Sequence, residues 1–175
     1  MSYIDRVKSR PGTTRRGRMV GHDYSYPGYY FITMCTHERQ NLFGNISNDV
    51  MAYSAAGDMI RQLIPESEQR FQNVVIDCSV VMPNHIHILL GMGVRVADEQ
   101  SEETVSDVVK WVKSASVRRY GVGVKNQGWS RYEGKLWQQG FHDHIVRNDG
   151  ELETLRSYVS NNIYTWEKDQ FYDPW

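Results

Sequence analysis

Two histidines one residue apart, His85-Ile-His87, are the first side chains in this sequence that could do chemistry. In a β-strand, residues i and i+2 point to the same face, so both imidazoles would project together. Paired imidazoles begin a divalent metal site; the plainer alternative is two surface histidines on an open sheet. A catalytic metal needs further ligands, and oxygen donors suit Mg²⁺ or Mn²⁺. Tyr158 and Asn162 stand four residues apart, which places them on one face of a helix. Asn162 could give its amide oxygen to the metal, with Tyr158 one turn away. The same two residues also read as a half-buried aromatic and a helix C-cap. A phenol has a pKa of ~10, so roughly one in 10³ is ionised at neutral pH. It can still attack a phosphodiester whose phosphorus a metal polarises. The product, a phosphotyrosine link, keeps the bond energy for rejoining a strand.

A second pair, His142-Asp-His144, competes for the metal role, but no paired oxygen ligand stands near it in sequence. His144 and Asn161 suit supporting positions behind the ligands. Residues 1–20 hold Arg6, Lys8, Arg10, Arg15, Arg16 and Arg18 against one acid, Asp5. Lys110, Lys113, Arg118 and Arg119 follow an acidic stretch at 98–107, with Trp111 and Tyr120 interleaved. Aromatics among bases fit single-strand binding by stacking plus phosphate contact. Arg15, Arg16, Arg18, Lys110, Lys113 and Arg118 are therefore the expected DNA contacts, against the alternative of a solvated surface. Cys35 and Cys78 fall in strand-like stretches and read as small buried hydrophobes.

The elements that must position these groups follow from pattern. Residues 28–36, rich in aromatic and β-branched types, suit a strand. Ala52, Ala56, Met59, Ile60, Leu63 and Ile64 repeat at helical spacing, with Pro65 marking the end. Residues 74–82 and 85–91 form two strands around the Pro83-Asn84 turn signal. Val105, Val108, Val109, Val112 and Ala115 mark a second helix, and the Gly-rich stretch 121–136 reads as a loop. Residues 141–147 make a fourth strand. Asn148 or Asp149 caps a third helix whose apolar face is Leu152, Leu155 and Val159. The order β-α-β-β-α-β-α predicts an α+β, ferredoxin-like split β-α-β sandwich. Its antiparallel sheet would carry helices on one face and leave the other open, with a C-terminal helix carrying Tyr158. Residues 1–28 read as a basic arm and 29–175 as one catalytic domain.

Composition narrows the classes. The 175 residues are 40% apolar and 23% charged, ordinary for a globular protein. The net charge of −1 is not that of a bulk nucleic-acid coat protein. No run approaches a membrane span, and no apolar stretch follows Arg6, Lys8 and Arg10 as in a signal peptide. A cytoplasmic, nucleoid-associated location is the expectation. Two cysteines build neither a disulfide framework nor a four-thiolate zinc site.

Several stretches together resemble the REP-associated tyrosine transposases, within the single-tyrosine HUH superfamily. They are residues 21–33, Val81-Met-Pro-Asn-His-Ile-His87, Trp111-Val-Lys-Ser114, residues 137–147 and Tyr158-Val-Ser-Asn-Asn162 with Trp166. The resemblance implies that His85 and His87 are metal ligands, Asn162 the third ligand and Tyr158 the nucleophile, with Mg²⁺ or Mn²⁺. It implies single-stranded DNA beside a small palindrome as substrate, cut to a 5′-phosphotyrosine and a free 3′-hydroxyl. Ile163 stands where the family usually has proline, so the helix is free to run on toward Trp166. Two other readings remain: a domesticated hairpin-binding protein that cuts poorly, and a metal-dependent hydrolase of small substrates, which would need a base such as Asp143. Monomer and homodimer are both open.

Overall fold

Aromatic and β-branched side chains between Gly28 and Cys35 build the strand that organises the molecule, β1. The computed structural model describes residues 27–93 and 103–172. After β1 come a 3₁₀ turn (His37–Arg39), β2 (Gly44–Ser47), β3 (Val50–Tyr53) and α1 (Ala55–Arg70). Then follow β4 (Val74–Val81), β5 (His85–Met92), α2 (Val105–Gln127), β6 (His142–Ile145), α3 (Asp149–Asn161) and a second 3₁₀ turn (Ile163–Lys168). The main sheet has the order β4-β5-β1-β6, with every neighbouring pair antiparallel. This is the split β-α-β sandwich expected from the element order.

Period-two alternation sorts the sheet's side chains. Tyr30, Ile32 and Met34 of β1, with Ile86, Ile88 and Leu90 of β5, meet the apolar faces of α1 and α2. Phe31, Cys35 and Leu89 point the other way, toward Leu152, Leu155 and Val159 of α3 and toward Trp166 and Phe171. The second face is thus covered in part by α3 and the segment after it. His85 and His87 share the parity of Leu89 and so face α3. Among the described residues, no helix is long and apolar enough to cross a membrane.

Three expectations are corrected. The helix anticipated to end at Pro65 starts later and passes through it to Arg70. Pro65 removes one backbone bond, but buried Ile64, Ser67 and Phe71 anchor the turn beyond it, and the Ser67 hydroxyl donates to the Ile64 carbonyl at 2.7 Å. Ala52 lies in β3, part of a β2–β3 hairpin not anticipated. Its two-residue turn is Asn48-Asp49, both at positive φ, the backbone that a tight hairpin demands. Residues 121–127, expected as loop, belong to α2. Gly123 lies against the Trp129 ring, where an added Cβ would stand 2.2 Å from a ring carbon. The helix stops at Gly128, whose φ of 70° is the left-handed C-cap.

Candidate metal and tyrosine site

β5 begins with His85, and the chain's alternation puts His85 and His87 side by side, their Nε2 atoms 3.1 Å apart. The tautomer of His85 follows from its neighbours. Asn84 donates from Nδ2 to the Phe171 carbonyl at 2.8 Å, so its Oδ1 faces His85 Nδ1 at 2.9 Å. An amide oxygen only accepts, so Nδ1 carries the proton and Nε2 presents its lone pair. His87 Nδ1 meets the Thr33 hydroxyl at 2.8 Å, a partner that can accept and leave the second Nε2 lone pair free as well. Both imidazoles are buried, at 0% and 1% exposure. Burial holds the His87 pKa down to about 3. His85 is held well below the usual histidine value by burial, then by His87 and the Arg39 charge. Both rings are therefore neutral, as ligands must be.

Two further segments close on this pair. α3 brings Tyr158, whose hydroxyl lies 3.5 Å from His87 Nε2 and whose ring meets Phe31 edge-on. Burial first, then the nearby Asp169 charge, push the Tyr158 phenol up to about 12. The segment after α3 brings Asp169, with a carboxylate oxygen 4.0 Å from His85 Nε2. His85, His87 and Asp169 each offer a ligand atom, all within 4.8 Å of one another. Burial raises the Asp169 pKa, while its hydrogen bond from the Phe171 N–H pulls it back. Asn162, fully buried at the C-cap of α3, lies close to Tyr158 and Asp169, yet neither amide atom reaches hydrogen-bond geometry with a partner. An unmet buried amide costs about 1–3 kcal/mol. A divalent cation suits this set: two imidazole lone pairs, a carboxylate and an amide oxygen in want of a partner.

The other candidate residues lie elsewhere. His144 Nε2 meets Glu151 at 2.7 Å and ties β6 to the first turn of α3. Asn161 is exposed and donates to the Ser157 carbonyl one turn back. α2 packs on the opposite face of the sheet from the histidines, so Lys110 and Arg118 are not brought to them. Exposed Lys110 pairs with Asp107 at 3.1 Å. Lys113 donates to the carbonyls of Gln138 at 2.7 Å and Gly140 at 2.5 Å, and burial lowers its pKa to about 8. Arg15, Arg16 and Arg18 lie outside the described residues. Cys35 is buried, which pushes its thiol up to about 12; Cys78 is half-buried, with its thiol at about 11. Both behave as packing groups rather than nucleophiles. Instead of continuing as α-helix past Ile163, the chain tightens into a 3₁₀ turn, with Thr165 donating to the Asn161 and Asn162 carbonyls. Sequence reasoning missed Asp169, seven residues beyond Asn162 and on no shared helical face. The available signal was chemical: Mg²⁺ and Mn²⁺ favour carboxylates.

The chain is 29% identical over 169 residues to an uncharacterized protein of Haemophilus influenzae, covering 89% of this chain and 91% of that one. It is 21% identical over 143 residues to a second Haemophilus influenzae protein, named as a candidate REP-associated tyrosine transposase, covering 80% and 72%. A solved structure of a REP-associated tyrosine transposase bound to a REP hairpin superposes with a TM-score of 0.60 at 18% identity. That match covers 85% of this chain and 73% of the other. The family model described as IS200-like transposase matches residues 24–162, a span that holds His85, His87, Tyr158 and Asn162 and stops short of Asp169. The chain belongs to the IS200-like transposase family.

Proposed function

We propose that this protein is a metal-dependent endonuclease and strand transferase for single-stranded DNA beside palindromic hairpins. Tyr158 would be the nucleophile. The observation that carries the reading is the Tyr158 hydroxyl standing 3.5 Å from His87 Nε2, in the cluster that also holds His85 and Asp169. His85, His87 and Asp169, with the Asn162 amide oxygen, would hold Mg²⁺ or Mn²⁺. The ion would supply Lewis-acid stabilisation of the charge that develops on the phosphate oxygens.

The chain's own residues account for the rest of the reaction. The Tyr158 oxygen forms a bond to phosphorus as the bond to the 3′ oxygen breaks; that oxygen leaves with the electron pair and takes a proton from water, giving a 5′-phosphotyrosine and a free 3′-hydroxyl. The phenolic proton must leave, because a phenol held at about 12 is protonated at neutral pH. That proton passes to water, because the Asp169 carboxylate beside the phenol would be occupied as a ligand to the ion. Thr33 and Asn84 fix the two imidazoles from behind. Reversal by an incoming 3′-hydroxyl rejoins a strand. The hairpin in the similar solved structure supports the choice of DNA substrate.

The test mixes protein, labelled single strands containing candidate palindromes, and Mg²⁺, Mn²⁺ or chelator, with denaturing gels as readout. A metal-dependent covalent species lost in Tyr158→Phe is the expected result. One observation favours a second reading: Phe171 and Trp166 rings lie 4.6 and 6.0 Å from His85 and help enclose it. A hairpin-binding protein with little cleavage would bind the same DNA tightly and give no adduct.

A further inference from the structure

The 3₁₀ turn after β1 carries two consecutive non-glycine residues at positive φ, Glu38 at 53° and Arg39 at 56°. Left-handed backbone is costly for such residues and persists where the surroundings over-determine it. Here they do. The Thr36 hydroxyl lies 2.9 Å from the carbonyls of both Gln40 and Asn84, the residue that orients His85. The Gln40 side chain donates to the Glu133 carbonyl and accepts from the Glu133 N–H, at 2.9 and 2.8 Å. The His37 ring fits beside Gly134, where a Cβ would stand 2.9 Å away. The turn is braced from both sides, and the group it presents is the Arg39 guanidinium.

That guanidinium lies over the Phe171 ring, 5.5 Å from its centre, and the same ring meets His85 at 4.6 Å and His87 at 6.4 Å. It uses one N–H, to the exposed Gln170 carbonyl at 3.1 Å. Among the described residues it has no carboxylate in an ion pair, unlike Arg61, Arg119 and Arg156. Arg39 is thus a fixed planar cation with spare donors, at the rim of a centre meant for a phosphodiester. Guanidinium forks match phosphate oxygens bidentately.

We propose that Arg39 binds a backbone phosphate of the DNA strand, next to the one that is cut, and so sets which linkage Tyr158 meets. This rests on the function proposed above. Of the other cations expected to meet DNA, Arg15, Arg16 and Arg18 lie outside the described residues, Lys110 and Arg118 lie on the far face of the sheet, and Lys113 is committed to loop carbonyls.

The test is a charge-neutralisation scan. Hairpin oligonucleotides carrying one neutral methylphosphonate, moved along the flanking strand, are bound to wild type, Arg39→Ala and Arg39→Gly. The glycine variant keeps the left-handed backbone relaxed, so a folded protein without the guanidinium is available. One position should weaken wild-type binding about tenfold and leave both variants unchanged. The variants should also lose ~0.7 from the slope of log affinity against log salt, one phosphate contact. Equal sensitivity of wild type and variants at every position overturns the proposal, as does wild type that binds no DNA. Because the scan reads binding, it decides the Arg39 contact even if wild type forms no adduct, a result that would count against the cleavage reading alone.

Discussion

At the scale of single residues, the two histidines were legible because a strand's period is fixed: His-x-His on any half-buried strand must share a face. Their burial was not, since it depends on Phe171 and Trp166, more than seventy residues away. Burial has a measurable consequence in the metal-free protein. Free histidine titrates near 6.5, whereas His87 is held to about 3 and His85 moves the same way. Between those values the unfolded chain binds protons that the native state refuses. Stability is therefore full above pH 6.5 and falls as pH drops toward 3. At pH 5, His87 alone should cost about 2 kcal/mol relative to pH 8. Urea midpoints in the presence of chelator would show it, and His87→Gln should flatten the curve. A midpoint that stays constant from pH 8 to 5 would mean that these imidazoles take up protons in the native state.

At the scale of elements, sequence pattern identified the four strands of the main sheet and the three helices, because their apolar faces repeat cleanly. It failed where one residue's habit was read without its neighbours. Pro65 and the Gly121–Gly123 pair look like breakers, yet α1 runs through because Ser67 and Phe71 are buried beyond Pro65, and α2 because partly buried Val124 and Trp129 pack against the core. The two glycines differ sharply, and this can be tested. A Cβ on Gly121 meets nothing within 4 Å, whereas on Gly123 it would run into Trp129. Gly121→Ala should raise stability by up to ~1 kcal/mol through helix propensity. Gly123→Ala should lower it by about 1–3 kcal/mol through overpacking. Denaturant midpoints of the two variants should move in opposite directions, and a stabilised Gly123→Ala would show that Trp129 yields easily. α3 illustrates the reverse case. Its Asn148 cap was readable, and the cap side chain accepts from the Glu151 N–H as the pattern implied. Its seating was not, because that depends on Arg156 meeting Asp77 beside a bulge in β4.

At the scale of the whole molecule, the near-neutral charge conceals an asymmetry that bears on DNA binding. Residues 1–20 carry six of the 20 Lys and Arg residues and only one of the 21 acids, so residues 21–175 are net acidic. A net-acidic stretch with its candidate metal and tyrosine cluster buried beneath α3 has little long-range attraction for a polyanion. If the protein binds hairpin DNA, the first twenty residues should supply much of the electrostatic affinity. Each phosphate neutralised on a single strand contributes ~0.7 to the salt slope, so six cations set an upper bound of roughly 4. Removing residues 1–20 should therefore lower that slope by as much as ~4 and weaken binding most at low salt. The metal-dependent thermal shift from Mn²⁺ should stay unchanged, because none of its proposed ligands lies in that stretch. Fluorescence anisotropy across a salt series, on full-length and shortened protein, measures both terms. An unchanged slope would move the phosphate contacts to residues 21–175, where Arg39, lying over the Phe171 ring beside His85, is the cation proposed to make one.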